Sequence, residues 1–223
     1  MEIFSHLDGV LIDEFSMLRA DFLDMMDKVA RLHGPNPNLP MGGLQLIGVG
    51  DICQLPPVVT DEEGVYFQEH YPSPYFFDAH CYSSLAMEYI ELDRVFRQKD
   101  PTLVNVLNKL RMGEATQDDL DVLNVRVDPL FDLANYHEHI YLATKNRVVD
   151  QINIEKLSVL SGDVSQLHAV VRGNFPKGGY PAEEHLQLKI GARVMLLTND
   201  SRKRWVNGDT GIVTEVSPLA VSV

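Results

Sequence analysis

The sequence predicts an α/β fold that changes to β structure near residue 170. Two short apolar runs, Val10–Ile12 and Leu44–Val49, lack polar alternation, which is typical of strands covered on both faces of a parallel sheet. A helical pattern separates them, so strand, helix and strand together predict a βαβ unit. Beyond residue 170 the helical periodicity is lost, and the remaining apolar segments are strand-like.

The first helix is predicted from Met17 to Leu32. Ser16 is placed to cap it, and Gly34-Pro35 ends it. Two acid-first pairs at i,i+4 spacing, Asp24–Lys28 and Asp27–Arg31, would support it. Its apolar residues fall on one stripe that we expect to face the core: Leu18, Phe22, Met25, Val29 and Leu32.

Further elements alternate along the rest of the chain. Residues 56–76 read as an ordered loop and Met87–Leu92 as a strand. A helix is predicted from Pro101, where proline favours a helix start, to Gly113. Thr116 and Asp119 resemble a capping box before a short helix that ends at Asn124. Four later segments complete the prediction: a strand at His139–Ala143, a helix over about 145–160, and strands at Ala192–Thr198 and Gly211–Val216 joined by a turn at Asn207-Gly208.

The charge is strongly negative and unevenly spread. The 223 residues carry 19 Lys and Arg against 32 Asp and Glu, a net charge of −13, which argues against a protein that binds nucleic acid through bulk positive charge. From Lys189 onward basic residues outnumber acidic ones by 5 to 3, so contacts with a polyanion are expected in this C-terminal part. The sequence predicts a soluble intracellular protein with no membrane span. The two cysteines lack a paired spacing, the N-terminal residues do not resemble a signal peptide, and no apolar run is long enough to cross a bilayer.

Three polar segments follow predicted strands and could carry chemistry. Asp13-Glu14 could hold Mg²⁺ and orient a water, or could be a solvated helix start. In Gly50–Val58 the prolines would hold Gln54 on a stiff loop beside those acids, where it could form a hydrogen bond with a phosphate oxygen. Alternatively, Gln54 could be a surface residue in a turn. Arg97 could supply positive charge to a transferring phosphoryl group, or could neutralise nearby acids.

Together these segments resemble a known family. VLIDEFSML (10–18), VGDICQLPPV (49–58) and LDRVFRQKDP (92–101) occur in the order of motifs II, III and IV of the Pif/RecD-type helicases of superfamily 1B. Three later segments match as well: 143–153, 191–197 and 206–213. The RNA-helicase branch of the superfamily shares the QLPP loop, but Phe96-Arg97-Gln98 favours the Pif/RecD side.

The resemblance implies two partial RecA-like (P-loop NTPase) domains, over residues 1–88 and 89–190, and the start of a small β-rich SH3-like insertion over 191–223. It implies an ATP-dependent motor that moves 5′ to 3′ on single-stranded DNA and separates duplexes. Asp13 would hold Mg²⁺, Glu14 would activate the hydrolytic water, Gln54 would sense the γ-phosphate, and Arg97 would reach across the cleft to it. Gly50 and Asp51 would complete the nucleotide site.

DNA-binding residues are expected in the second half of the chain. Thr144 and Asn146 lie at a strand-to-helix transition, where free N–H groups can bind phosphate, although Thr144 could equally be a plain N-cap. Arg202-Lys203-Arg204-Trp205 is the dense basic cluster and contains the sole Trp, so it could bind a single strand through charge and stacking, or could be a solvated loop. Asn207, in the turn that follows, is a further candidate.

The sequence also departs from the family pattern. Lys follows Gly nowhere in the chain, so the Gly-Lys-Ser/Thr phosphate loop is absent, as are the late helicase motifs. We therefore expect an internal segment of a helicase that does not hydrolyse ATP alone. Two alternatives remain: a catalytically inactive nucleic-acid or partner-binding module, and an RNA helicase of the sister branch.

The resemblance also predicts the setting of the protein. Its partners would be single-stranded DNA and duplex junctions, acting in DNA repair, recombination or telomere maintenance, with a monomer favoured. The compartment would be the cytoplasm or nucleoid of a prokaryote, or the nucleus or mitochondrion of a eukaryote.

Overall fold

The computed structural model describes residues 4–131, 139–173, 180–218 and 220–223. Contacts divide the chain into two compact units, Met1–Val127 and Asp128–Val223. The domain bounds that the resemblance implies, at residues 88 and 190, stay a prediction. In the described ranges no helix is both long enough and apolar enough to cross a bilayer.

The first unit contains two parallel strands, β1 (Gly9–Ile12) and β2 (Gln45–Gly48), paired from Gly9 opposite Gln45 to Ile12 opposite Gly48. Helix α1 (Ala20–His33) connects them, so the predicted βαβ unit is confirmed. Three more helices follow: α2 (Asp61–His70), α3 (Pro101–Met112) and α4 (Gln117–Asn124). The capping box of Thr116 and Asp119 and the proline start of α3 are confirmed.

The start and the buried face of α1 differ from the prediction. The helix begins at Ala20, because a 3₁₀ turn at Phe15–Met17 comes first, and Ser16 is buried in that turn instead of capping α1. Three residues of the expected apolar stripe are exposed: Phe22, Met25 and Leu32. The face that is buried consists of Ala20, Leu23, Asp24, Asp27 and Ala30.

Hydrogen bonds explain why two carboxylates lie on this buried face. Asp24 accepts from the Tyr71 hydroxyl at 2.9 Å and from the backbone N–H groups of His80 and Cys81 at 3.2 and 2.8 Å, instead of pairing with Lys28. Asp27 accepts from Met41 N at 2.6 Å and forms the predicted pair with Arg31 at 2.7 Å. Buried carboxylates are tolerated when such partners replace water. α1 is therefore joined to the segments after α2 and before β2 by polar contacts.

The core of this unit includes a mainly aromatic cluster. Its buried residues are Phe15, Ala20, Leu23, Phe67, Tyr71, Phe76 and Ala79, and a second cluster contains Ala30, Met41 and Leu44. Phe67 lies in α2 and Tyr71 directly follows it. Both are in the stretch 56–76, for which the sequence predicts a loop. That prediction is wrong over Asp61–His70, where Thr60 and Glu63 form a capping box that starts the helix.

Two predicted strands are absent from the described residues. Met87–Leu92 and His139–Ala143 lack strand hydrogen bonding, because neither is paired with a neighbouring strand. Within the first of these segments, Tyr89, Ile90 and Leu92 are largely exposed. An apolar run alone does not make a strand without a partner.

The described part of the second unit contains α5 (Asn146–Val159), as predicted, followed by antiparallel strand pairs. β3 (Ser165–His168) pairs with β4 (His185–Leu188), and β5 (Arg193–Met195) pairs with β6 (Thr210–Ile212). β7 (Glu215–Val216) pairs with β8 (Val221–Ser222). The hairpin around Asn207-Gly208 is confirmed with shorter strands than expected, whereas β3 and β4 were not predicted.

Candidate functional site

The first group of site residues lies at the carboxyl ends of β1 and β2. Because the strands are parallel, both end at the same edge of the sheet, with Asp13 and Glu14 after β1 and Gly50 and Asp51 after β2. Val49 N donates to Ile12 O at 2.9 Å, and Phe15 N donates to Val49 O at 2.8 Å. The segments that directly follow the two strands, here called the β1 and β2 exits, therefore run side by side. The structure thus brings the first two predicted segments together at the edge where α/β sheets bind ligands.

Glu14 has a strained backbone. Its φ of 51° is left-handed, which is uncommon for a residue other than glycine, Asn or Asp. β1 ends at Ile12, so Asp13 lies beyond the strand and the chain turns at Glu14. The Glu14 N–H donates to Asp13 Oδ1 at 3.0 Å, and both side chains are exposed. Such strain clusters at functional sites, and here it presents two carboxylates to solvent.

Gly50 is required by a close approach of two backbone segments. A Cβ at this position would lie 2.7 Å from Ser16 N and 2.9 Å from Phe15 N. A side chain would separate the β2 exit from the turn that follows Glu14. Glycine therefore keeps the loop that carries Asp51 against the loop that carries the two acids.

Asp51 is the centre of a small polar network. Its carboxylate accepts from Cys53 N at 3.0 Å, from Gln54 Nε2 at 3.1 Å and from Arg111 Nη2 at 3.2 Å. Burial acts to raise the pKa of Asp51, but these hydrogen bonds and the charge of Arg111 outweigh it and lower the pKa below its usual value. With one N–H held by Asp51, the amide of Gln54 keeps its other N–H and its oxygen for a ligand.

Arg111, in the last turn of α3, was not singled out in the sequence. Its 60-residue separation from Asp51 gives no local signal, and a basic residue near a helix C-terminus is common for dipole reasons alone. The contact ties α3 to the loop that carries Gln54.

Arg97 is not brought to these residues. It lies in the exposed segment before α3, and within the described ranges it has no hydrogen bond or ion pair. Its neighbour Arg94 instead lies over the Phe96 ring, 4.8 Å from the centroid.

In the second unit, Thr144 and Asn146 flank the start of α5. Asn146 is the first helical residue and Lys145 the N-cap residue, without a capping side-chain hydrogen bond, so a plain N-cap role for Thr144 is wrong. Both Thr144 and Asn146 are exposed beside the free N–H groups of the first turn.

The basic cluster in the β5–β6 connection is organised around Asp200. Arg204 binds its carboxylate through Nε at 2.9 Å and Nη2 at 2.8 Å, and the Arg202 N–H donates to it at 2.9 Å. The paired guanidinium lowers the pKa of Asp200 to about 2. Arg204 also covers one face of the Trp205 ring at 4.5 Å, and the indole N–H donates to Thr198 O at 3.1 Å.

This arrangement separates the roles within the cluster. The charge of Arg204 is largely neutralised by Asp200, whereas Arg202 and Lys203 are exposed and have no ion pair in the part of the chain that is described. Asn207 is exposed, and its N–H donates to Asn199 Oδ1 at 2.7 Å. Two free cations and one face of an indole ring remain for a ligand.

Comparison with known proteins decides the family. The model of the PIF1-like helicase family matches residues 1–117, more than half of the chain, including the β1 and β2 exits and Arg97. The chain belongs to the PIF1-like helicases. It is 33% identical over 212 residues to the ATP-dependent DNA helicase RRM3 of Saccharomyces cerevisiae, and 31% identical over 209 residues to the human ATP-dependent DNA helicase PIF1.

Solved structures agree with this assignment. The Pif1 helicase from Bacteroides, in complex with ADP-AlF3 and ssDNA, superposes with a TM-score of 0.78 at 36% identity, and Pif1 from Candida albicans with 0.76 at 30%. These matches cover 95% of this chain and 49% and 47% of those chains. The chain covers 28% of RRM3 and 31% of human PIF1, so it spans under a third of these two relatives. The predicted α/β, RecA-like fold is confirmed.

The exposed acids of this PIF1-like chain fit a magnesium–nucleotide pair. Mg²⁺ prefers carboxylate oxygens, keeps several waters and takes its remaining ligands from phosphates. Asp13 offers such an oxygen, and no group of three His, Cys, Asp or Glu forms a complete metal cage in the described ranges. A Mg²⁺ ion coordinated jointly by Asp13, water and a nucleotide suits this site better than a Mg²⁺ ion held by protein ligands alone.

The Asp51 network makes a testable prediction for this PIF1-like chain. In the Arg111→Gln variant the pKa of Asp51 should rise toward the ordinary value of Asp, because the guanidinium charge that favours the carboxylate is removed. Carbon-13 NMR of the Asp51 carboxyl during a pH titration measures it. Lys99→Gln, which removes an exposed cation outside the network, should leave the titration unchanged. An unaltered Asp51 titration in Arg111→Gln would contradict the network.

Proposed function

We propose that this chain contributes the carboxylate half of an ATP site and a single-strand contact to an ATP-dependent DNA helicase that moves 5′ to 3′ and unwinds duplexes. The observation that carries the proposal is the meeting of Asp13, Glu14 and the Gln54 loop at the carboxyl ends of two parallel strands. The relatives named above are ATP-dependent DNA helicases, and the Bacteroides structure contains ADP-AlF3 and ssDNA.

Each side chain has a distinct role in this proposal. Asp13 holds Mg²⁺ through a water shell, and Glu14 accepts a proton from the water that attacks the γ-phosphate. Gln54, oriented by Asp51, donates its free N–H to a γ-phosphate oxygen. Arg97 approaches the same phosphate when the cleft closes and stabilises the charge that develops during transfer.

Hydrolysis would be coupled to movement by the loss of this attraction. While the γ-phosphate is present, cations on both sides of the cleft favour closure. After the γ-phosphate is released, the attraction between it and these cations is lost, and the two RecA-like domains separate. Alternate gripping of the strand during closure and opening would give directed steps.

The chain alone should not hydrolyse ATP. It contains no Gly-Lys pair, so no phosphate loop of the usual kind neutralises the β- and γ-phosphates. Magnesium-dependent ATPase activity of the purified 223-residue chain that persists in a Glu14→Gln variant would indicate contamination. Activity that Glu14→Gln abolishes would overturn this expectation of inactivity.

The setting follows from the proposed substrate. A DNA helicase acts where DNA is kept, which is the nucleoid of a prokaryote or the nucleus or mitochondrion of a eukaryote. Roles in repair, recombination or telomere maintenance belong to the same proposal. A monomer is favoured, although one matching structure describes two coordinating Pif1 helicases at forked dsDNA.

The proposed DNA contact makes a second prediction. Arg202→Ala with Lys203→Ala should weaken binding of a single-stranded oligonucleotide several-fold, because these cations are free whereas Arg204 is paired. The slope of log affinity against log salt should become shallower by roughly 0.7 for each phosphate that the variant no longer neutralises. Fluorescence anisotropy at a series of salt concentrations measures both quantities.

A matched control and a competing probe complete this experiment. Arg126→Ala removes one exposed cation from the first unit and should have little effect. Competition between DNA and RNA strands of the same sequence separates a DNA helicase from an RNA helicase. Unchanged affinity and slope in the double variant would remove the β5–β6 connection from the interface.

A further inference from the structure

Two histidines that have no role in the proposed helicase activity meet at one end of the β3–β4 pair. His168 and His185 lie directly opposite each other, and their Nδ1 atoms are 2.8 Å apart. Both side chains are exposed, and the ring planes are inclined at 76° with centroids 4.9 Å apart. One neutral ring donates an N–H to the bare nitrogen of the other, so this contact requires no third partner.

The strand register explains why the rings are so close. One residue farther along, Ala169 N donates to Glu184 O at 2.9 Å, so that pair is hydrogen-bonded. Hydrogen-bonded and non-hydrogen-bonded pairs alternate in antiparallel strands, which makes His168 and His185 a non-hydrogen-bonded pair. Side chains approach most closely in such pairs. The backbone therefore holds the two imidazoles together independently of their own hydrogen bond.

From this geometry we infer that His168 and His185 form a two-histidine site for a divalent transition-metal ion, with Cu²⁺, Ni²⁺ and Zn²⁺ as the class of ligand. Nitrogens that each lie about 2.0–2.1 Å from one metal ion are roughly 2.9–3.4 Å apart for bond angles between 90° and 109°, so the rings need only separate slightly and turn both lone pairs toward the ion. Neutral imidazole suits these three ions, whereas Mg²⁺ and Ca²⁺ prefer oxygen. The site differs from Asp13 in ligand type, and its residues belong to the second unit.

The coordination would be open. No third His, Cys, Asp or Glu completes a group with the pair among the described residues, so water fills the remaining positions. Binding needs both Nδ1 lone pairs, which places the remaining proton of each ring on Nε2. A proton on either Nδ1 would therefore block coordination by that ring. The bound ion would tie the last residue of β3 to the first residue of β4.

Titration of the 223-residue chain with Cu²⁺, Ni²⁺ and Zn²⁺ tests the site. Calorimetry should show one site per chain, and His168→Ala or His185→Ala should weaken it roughly tenfold or more, because the second donor acts at high effective concentration. In the electron paramagnetic resonance spectrum of the Cu²⁺ form, two imidazole nitrogens should couple to the metal, falling to one in either variant. Zn²⁺ should raise the thermal midpoint of the wild type only.

The matched control is His70→Ala, which removes an exposed histidine in α2 and should leave affinity and spectrum unchanged. Circular dichroism verifies that each variant is folded. Absence of a one-to-one site, or equal affinity in wild type and both histidine variants, would overturn the inference. Neither result bears on ATP hydrolysis, which depends on residues of the other unit.

Discussion

Replacing Arg97 by Ala is expected to lower the rate of ATP hydrolysis about 10³–10⁵-fold, the range typical of an arginine that stabilises phosphoryl transfer. The experiment uses a chimera in which residues 1–223 replace the matching half of the Bacteroides Pif1 helicase, whose remaining half completes the enzyme. Nucleotide affinity should change far less than kcat, because the proposed contact forms in the transition state. Single-turnover hydrolysis with saturating ATP and ssDNA measures the effect.

Arg94→Ala is the matched control for Arg97, since Arg94 precedes it by three residues and packs on Phe96. Its removal should leave kcat within a few-fold of the parent chimera. Equal rates of ATP hydrolysis in the parent chimera and in Arg97→Ala would show that Arg97 is a surface cation with no part in hydrolysis.

Replacing Asp24 by Ala is expected to destabilise the first unit by about 3–5 kcal/mol, enough to unfold a marginal domain. Asp24 is 5% exposed, and removal of its carboxylate leaves the Tyr71 hydroxyl and the N–H groups of His80 and Cys81 without their acceptor. Urea denaturation followed by circular dichroism measures the change. Lys28→Ala, on the exposed face of the same helix, should alter stability by no more than about 0.5 kcal/mol.

The same carboxylate predicts a pH dependence. Burial acts to raise the pKa of Asp24, but the hydrogen bonds from Cys81, Tyr71 and His80 outweigh it and lower the pKa. Its contribution is therefore fully present above the ordinary pKa of Asp, about 3.9, and is lost as pH falls through the lower folded value. The stability difference between wild type and Asp24→Ala should shrink on acidification, and a constant difference down to pH 2 would contradict this account.

Local patterns predicted the elements whose formation depends on neighbouring residues. The strand exits at Asp13 and Gly50, the start of α3 at Pro101 and the capping box of Thr116 all depend on short-range chemistry. α2 was missed although Thr60 and Glu63 carry the same capping signal, because the nearby prolines and aromatic residues indicated a loop.

Long-range contacts account for the other differences. The buried face of α1 is set by N–H and O–H groups more than 40 residues away, so an apolar stripe could not reveal that Asp24 is inside. Met87–Leu92 has the apolar residues of a strand but no paired neighbour in the described part of the chain. In the candidate site, sequence proximity brought Arg204 and Trp205 together as DNA ligands, whereas Asp200 engages Arg204 and leaves Arg202 and Lys203 free.

The residues at the carboxyl ends of β1 and β2 are proposed to act on ATP. The most direct test of this proposal is single-turnover ATP hydrolysis by the chimera with Glu14→Gln, compared with Glu62→Gln, which changes an exposed acid in the first turn of α2. Loss of a general base should lower the rate about 10²–10⁴-fold in Glu14→Gln with ATP affinity nearly unchanged, and Glu62→Gln should match the parent. Hydrolysis at the parental rate in Glu14→Gln would contradict the proposal.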